Sequence, residues 1–154
     1  MSKKRKAREL AMQVLFLWDT QGDNSDVAAA QVVNDGTQDD EVRREGLAIA
    51  AAAWNGREIA DRWVVRLAPQ WPTRRQPGVD RSILRLAVWE LTGGTQTPPK
   101  VVIDEAIELA KEFSTEQSPA FVNGVLDAIL KEFKQITEGA TPEAPAEQQS
   151  PPGA

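Results

Sequence analysis

The chain has 154 residues, of which 27% are charged, and it contains neither cysteine nor histidine. This length suits one domain with a single core. The missing residue types exclude disulfides, most zinc sites and catalysis by Cys/His or Ser/His pairs. No segment approaches the run of about 20 apolar residues that a membrane helix needs, and no signal-peptide core follows the start, so we expect a soluble, cytoplasmic protein.

Charge is distributed unevenly along the chain, whose formal net charge is −5. Residues 1–8 carry five positive charges and no negative one, whereas residues 9–136 carry 13 positive and 20 negative charges. The five cations form what we term the basic arm: Lys3, Lys4, Arg5, Lys6 and Arg8. A polyanion favours such clustering, because each cation that neutralises a phosphate releases a condensed counterion. A solvated, frayed terminus explains the same run equally well.

Four helices are predicted before the middle of the chain. The first covers residues 4–21, and the second covers residues 26–34 after a turn. A third runs from near Asp39 to Trp54, and a fourth reaches about Leu67 after an N-cap at Asn55 whose acidic partner is Glu58. The predicted core stripe of the first helix consists of Ala7, Leu10, Ala11, Val14, Leu17 and Trp18.

Phe16 lies on the opposite side of the first helix from that stripe, together with Arg5, Glu9 and Met12. An aromatic ring in this position either covers the second helix or is available to a partner. Single exposed apolar residues are common, so both interpretations stay open.

Three further helices follow a connection that contains Pro69, Pro72 and Pro77. They are predicted over residues 79–92, 100–113 and 118–136, the last with Ser118 as N-cap and Pro119 at the first helical position. With no strand pattern of useful length, the fold class is all-α, with the helices divided at the connection into two groups.

Residues 137–154 contain proline and glutamate but no aromatic residue. Such a composition buries too little surface to offset the entropy of ordering. We therefore expect a single helical domain over residues 1–136 and a disordered tail over residues 137–154.

Two features of the sequence are candidates for a functional site. The row Glu105, Glu108 and Glu112 has a spacing that could hold a metal, but with no histidine available it is better explained as the wet face of an amphipathic helix. Phe121 lies in the first turn of the last helix, about 100° from the centre of its apolar stripe. Its ring is suited either to stack on an RNA base or to pack at the helix start.

Four segments carry a resemblance to a known family: ARELAMQVLFLWD, VDRSILRLAVWEL, PPKVVIDEAIELAKEF and SPAFVNGVLDAILKEF. In this order the chain resembles the transcription antitermination protein NusB family. Members of the family are all-helical, with about seven helices in two helical subdomains. They bind the boxA element of ribosomal RNA leaders together with the ribosomal protein NusE, and the pair joins an antitermination complex on RNA polymerase.

The resemblance implies roles for individual residues. The basic arm would contact RNA phosphates, Phe121 would stack on a base, and Phe16 and Asp80 would contact NusE. Several relatives have Tyr in place of Phe16, and some have an acidic residue in place of Gln117, so this chain departs from them at both positions.

The predicted function is therefore an antitermination factor that binds boxA-like single-stranded RNA together with NusE. The alternative is a helical adaptor for NusE without direct RNA contact. No phosphate-binding loop, nucleophile elbow or dinucleotide fingerprint occurs, so we expect no enzyme, no cofactor and no metal. Whether the free protein forms a homodimer stays open.

Overall fold

The computed structural model of the protein describes residues 2–139. Within this range the all-α class and the seven predicted helices are confirmed. A 3-10 turn, Thr73–Arg75, lies in the connection, and a π-helical turn, Glu90–Gly94, follows the fifth helix. The helices are α1 (Lys3–Gln21), α2 (Asp26–Gly36), α3 (Asp40–Asn55), α4 (Arg57–Leu67), α5 (Gly78–Trp89), α6 (Pro99–Phe113) and α7 (Ser118–Gly139).

Helix α1 lies at the centre of the fold, where α2, α3 and α5 all pack against it. Because neighbours cover several of its sides, Met12 is only 2% exposed and Glu9 is also buried. Their predicted place opposite the core is therefore wrong, since a helical wheel assumes a single buried face. Phe16 keeps 40% of its surface exposed, as the wheel predicts.

Helices α4 to α7 form the second group. Helix α4 packs against α5 and α7, while α6 packs against both α5 and α7. Trp63 on α4 meets Phe133 on α7 edge-on, with ring centroids 6.3 Å apart. This geometry is favourable for two aromatic rings beyond the area that they bury. The division between the two groups therefore falls between α3 and α4 rather than at the proline-containing connection.

Three predicted helix ends differ from the structure. Asn55 is the last residue of α3 and does not cap α4, which has no side-chain cap. Ser118 is the first residue of α7, and its hydroxyl donates to Asp80 at 2.9 Å. Helix α7 also continues to Gly139, and the remainder of the predicted tail lies outside the described residues. None of the helices within residues 2–139 has the length and apolar character needed to cross a bilayer.

Candidate functional site

The basic arm is helical from its first lysine. Ser2 caps α1 by accepting a hydrogen bond from the backbone N–H of Arg5 at 3.1 Å, and the helix begins at Lys3. An N-cap of this kind satisfies one of the orphan amide groups of the first turn. In the structure the cations therefore have fixed positions on a helix, and the interpretation as a frayed terminus does not hold.

Carboxylates of α3 and its N-cap pair with the first two cations of the arm. Lys3 Nζ lies 3.2 Å from both Asp39 and Glu41, and Lys4 Nζ lies 2.7 Å from Glu45. The hydrogen bond with Asp39, followed by the one with Glu41, raises the pKa of Lys3. The side chains of Lys3 and Lys4 are 62% and 43% exposed, so salt screens these pairs and a phosphate can compete for them.

Arg5 reaches across to α6. Its Nε lies 3.0 and 3.2 Å from the two oxygens of Glu105, and its Nη2 donates to the same carboxylate at 3.0 Å. This bidentate contact raises the pKa of Arg5. Lys6 pairs with Glu9 at 2.9 Å on α1 itself. Two carboxylates of the row thus form ion pairs, Glu105 with Arg5 and Glu108 with Lys111, and residues 2–139 contain no acidic cluster that could hold a metal.

Arg8 is buried and does not reach the surface. Its Nε and Nη2 contact both oxygens of Glu90 at 3.0 to 3.3 Å, and Nη2 lies 3.4 Å from Thr97 Oγ1. The two charged side chains are 5% and 2% exposed. The expectation that Arg8 contacts RNA phosphate is therefore corrected: its guanidinium is enclosed with a carboxylate in the interior.

The ring of Phe121 packs against Trp71, which belongs to the connection between α4 and α5. The ring centroids are 4.0 Å apart and the planes are inclined by 54°. Both residues are half-buried, so each ring keeps part of its surface accessible. Phe121 therefore packs at the start of α7, and the exposed part of its ring is still available for a base to stack on.

Phe16 and the start of α5 lie together. A β-carbon on Gly78 would come within 2.8 Å of Phe16 Cε1, so only glycine allows the ring to lie this close to the backbone. Asp80, two residues later, is fully buried and accepts hydrogen bonds from Ser114 and Ser118. The expectation that Asp80 contacts NusE is corrected accordingly: its carboxylate joins α5 to the turn between α6 and α7, and so positions the helix that carries Phe121.

Acidic side chains separate the basic arm from Phe121 along α6. The arm meets this helix at Glu105, and Glu108 and Glu112 follow toward the start of α7. At 1.5 Å per residue the row extends for about 10 Å. Arg5 offsets the charge of Glu105, and Lys111 lies 3.4 Å from Glu108. A phosphate chain that followed α6 from the arm to Phe121 would be repelled chiefly by Glu112.

Sequence reasoning missed the aromatic and basic residues of the connection. Trp71 lies between Pro69 and Pro72, and Arg74 and Arg75 follow it directly. An aromatic residue beside two arginines in a non-helical segment was the available signal. It was interpreted only as an interruption between helices.

Comparisons with known proteins agree on one family. A family model described as the NusB family matches residues 5–131. The transcription antitermination protein NusB of Symbiobacterium thermophilum is 40% identical over 139 residues, which cover 85% of this chain and 91% of that protein. The corresponding protein of Solibacter usitatus is 41% identical over 137 residues, which cover 88% of this chain and 93% of that protein.

Solved structures give the same result. The structure of T. maritima NusB has a TM-score of 0.73 and 30% sequence identity, with 96% of each chain covered. A crystal structure of the antitermination factors NusB and NusE in complex with double-stranded RNA has a TM-score of 0.77 and 28% identity, and covers 86% of this chain and 99% of that chain.

Proposed function

Because this chain belongs to the NusB family, we propose that it holds a boxA-like, single-stranded RNA together with the ribosomal protein NusE. The chain is a transcription antitermination factor, and in this proposal the RNA and NusE bring it into the antitermination complex on RNA polymerase. The observation that carries the proposal of RNA and NusE binding is its similarity, over 86% of its length, to a chain of the complex of NusB and NusE with double-stranded RNA. Single-stranded RNA is favoured because a ring such as Phe121 needs an unpaired base on which to stack.

In this proposal the RNA contacts come from Lys3, Lys4, Arg5 and Lys6, with base stacking by Phe121. The NusE contact comes from the exposed ring of Phe16, which lies against Gly78 at the start of α5. Asp80 acts as a positioning residue through its hydrogen bonds to Ser114 and Ser118, which are at the turn before α7.

Binding at the arm is an exchange of partners. Lys3, Lys4, Arg5 and Lys6 each already pair with a carboxylate of this chain. The pairs of Lys3 and Lys4 are accessible to solvent, and such pairs contribute little stability and weaken with salt, so a phosphate can displace their carboxylates. Glu105 and Glu9 are 17% and 10% exposed, so their pairs with Arg5 and Lys6 are screened less by solvent. The gain per phosphate is smaller than for a free cation, because the displaced carboxylate must be solvated again.

The same ion pairs favour a second candidate function, an adaptor that binds NusE without touching RNA. If the carboxylates keep their cations, the arm serves only to join α1 to α3 and α6. In that case Phe16 remains important for NusE, and Phe121 is important only for packing against Trp71.

Binding of a boxA-type RNA oligonucleotide, measured against salt concentration with and without NusE, tests the proposal. For single strands, log affinity falls by about 0.7 per log unit of salt for each phosphate contact. We expect Lys4→Ala/Arg5→Ala to weaken binding and make the salt dependence shallower by up to about 1.4. Phe121→Ala should weaken binding by roughly 5- to 150-fold through the lost stack.

The control is Arg62→Ala/Lys131→Ala, which removes the same charge from two exposed side chains without ion pairs to any carboxylate of residues 2–139. RNA affinity should be almost unchanged in this variant. If the arm variant and Phe121→Ala both bind RNA like the parent while Phe16→Ala loses NusE, the adaptor function is correct. If the parent itself binds no boxA RNA with NusE present, the proposed function is wrong.

Three broader proposals accompany this function. The protein works by binding and carries out no catalysis, and it acts in the cytoplasm, where RNA polymerase produces its RNA. The binding unit is the helical domain of residues 1–136. Deleting residues 140–154 should accordingly leave RNA and NusE affinities unchanged.

A further inference from the structure

The connection between α4 and α5 places a second group of cations beside Phe121. We define the connection patch as Trp71, Arg74 and Arg75 together with Phe121. The Trp71 and Phe121 rings touch, with centroids 4.0 Å apart, and the two arginines lie on the 3-10 turn that follows Trp71. Residues 50 positions apart in the sequence therefore form one aromatic and basic surface.

Hydrogen bonds hold this surface in place. Trp71 Nε1 donates to the carbonyl oxygen of Arg75 at 3.2 Å, and Gln76 Nε2 donates to that of Trp71 at 3.2 Å. Arg81 Nη1 donates to the carbonyl oxygens of Thr73 and Gln76 at 2.6 and 3.3 Å. A ligand that binds here meets a preformed turn, which lowers the entropy cost of binding.

Within residues 2–139, the two arginines of the patch differ from the cations of the basic arm in having no ion-pair partner. Both are exposed, and neither makes an ion pair with a carboxylate within residues 2–139. Every cation of the arm has such a partner. A phosphate at Arg74 or Arg75 therefore displaces no carboxylate and gains the full counterion release.

The patch also provides a route to Phe121 that avoids the carboxylates of α6. A strand that reaches Phe121 along that helix passes Glu112, which repels phosphate, and Glu108, whose charge Lys111 partly offsets at 3.4 Å. Arg74 and Arg75 lie in the connection between α4 and α5, and they provide positive charge next to the Trp71 and Phe121 pair. Aromatic surface flanked by guanidinium groups is the combination that binds single-stranded RNA, through stacking and phosphate contacts.

We propose that the connection patch is an RNA-binding site in which Arg74 and Arg75 bind phosphates on either side of a base that stacks on the exposed surface of the Trp71 and Phe121 pair. The base lies on the outside of the pair, because the rings already touch. This inference rests on the proposed function and locates the strand beside Phe121. An acidic segment of a protein partner is the competing ligand for the same chemistry.

The test compares Arg74→Ala/Arg75→Ala with the parent in binding a single-stranded boxA-type RNA oligonucleotide. We expect several-fold weaker binding and a salt dependence shallower by about 1.4, the value for two phosphate contacts. Arg74→Lys/Arg75→Lys should recover most of that salt dependence, since a lysine still neutralises a phosphate as a point charge. Trp71→Leu, which keeps apolar cover over Phe121, should weaken binding by roughly 5- to 150-fold with an unchanged salt dependence.

The control pair Arg62→Ala/Lys131→Ala separates a local effect from a change in net charge. The inference is overturned if the connection variant and the control pair have the same RNA affinity and salt dependence. It is also overturned if Arg74→Ala/Arg75→Ala lowers affinity for NusE in the absence of RNA and leaves RNA binding unchanged, because the patch then binds protein. In both cases loss of RNA binding in the arm variant would leave the proposed function standing.

Discussion

Removing Arg8 should destabilise the fold rather than weaken RNA binding selectively. Arg8→Met keeps most of the aliphatic bulk and removes the charge, which leaves the carboxylate of Glu90 buried without its partner. That carboxylate is 2% exposed and receives hydrogen bonds from both Nε and Nη2 of Arg8. The arginine lies in the same helical turns as the cations proposed to contact RNA, so substituting it together with them would confuse the two effects.

The expected size follows from the burial of the pair. Breaking a buried ion pair by removing one partner costs about 3 to 5 kcal/mol. A domain of this kind has a total stability of about 5 to 15 kcal/mol, so the loss is a large fraction of it. At about 2 to 4 °C per kcal/mol for a chain of this size, Tm should fall by about 6 to 20 °C.

Urea denaturation followed by circular dichroism measures the loss, and RNA binding is then measured under conditions where the variant is folded. The double variant Arg8→Met/Glu90→Leu should recover most of the stability, because two apolar side chains of similar volume often replace a buried pair at little cost. Unchanged stability in Arg8→Met, combined with weaker and less salt-dependent RNA binding, would refute the role of Arg8 as the buried partner of Glu90. Arg8 would then be an RNA-contacting residue.

Two further predictions concern NusE binding and pH. Gly78→Ala introduces a β-carbon 2.8 Å from Phe16 Cε1, so the ring must move. The affinity for NusE, measured by calorimetry, should therefore fall several-fold. The stability of the variant against urea should stay near that of the parent. The hydrogen bond from Lys3, followed by the one from the backbone N–H of Val42, lowers the pKa of Asp39 in the folded state. The ionised Asp39 carboxylate therefore contributes its full stabilisation above the pKa of the unfolded state. This stabilisation is lost as pH falls through the folded pKa. Stability measured from about pH 6 to about pH 3 should therefore decline less steeply in Asp39→Asn than in the parent; equal slopes would contradict this assignment.

The spacing of apolar residues along the sequence predicts the helices, but it does not predict which residues pair with their charged side chains. The stripes of α6 and α7 have one buried face each, and helical periodicity describes them well. Helix α1 packs on several sides, and no periodicity within one segment reveals how many neighbours a helix has. That is why Met12 was placed on the wrong side while the exposed position of Phe16 was correct.

The site depends on contacts that are distant in the sequence. Arg5 and Glu105 are 100 positions apart, and Arg8 and Glu90 are 82 positions apart. Family resemblance implies RNA contacts for the basic arm but cannot show that each of its cations pairs with a carboxylate. The burial of Asp80 likewise depends on Ser114 and Ser118, which reach it only after α6 and α7 have folded back onto α5.

The paired state of the arm affects how salt dependence should be interpreted for this protein. A phosphate that captures Lys4 or Arg5 releases a condensed counterion from the RNA, but it also frees Glu45 or Glu105, which then attracts counterions of its own. The net release is smaller than the number of phosphate contacts. A cation without a carboxylate partner, such as Arg74 or Arg75, has no such compensation. Per charge removed, the connection patch should therefore change the salt dependence more than the arm does, even though the arm contains the larger number of cations.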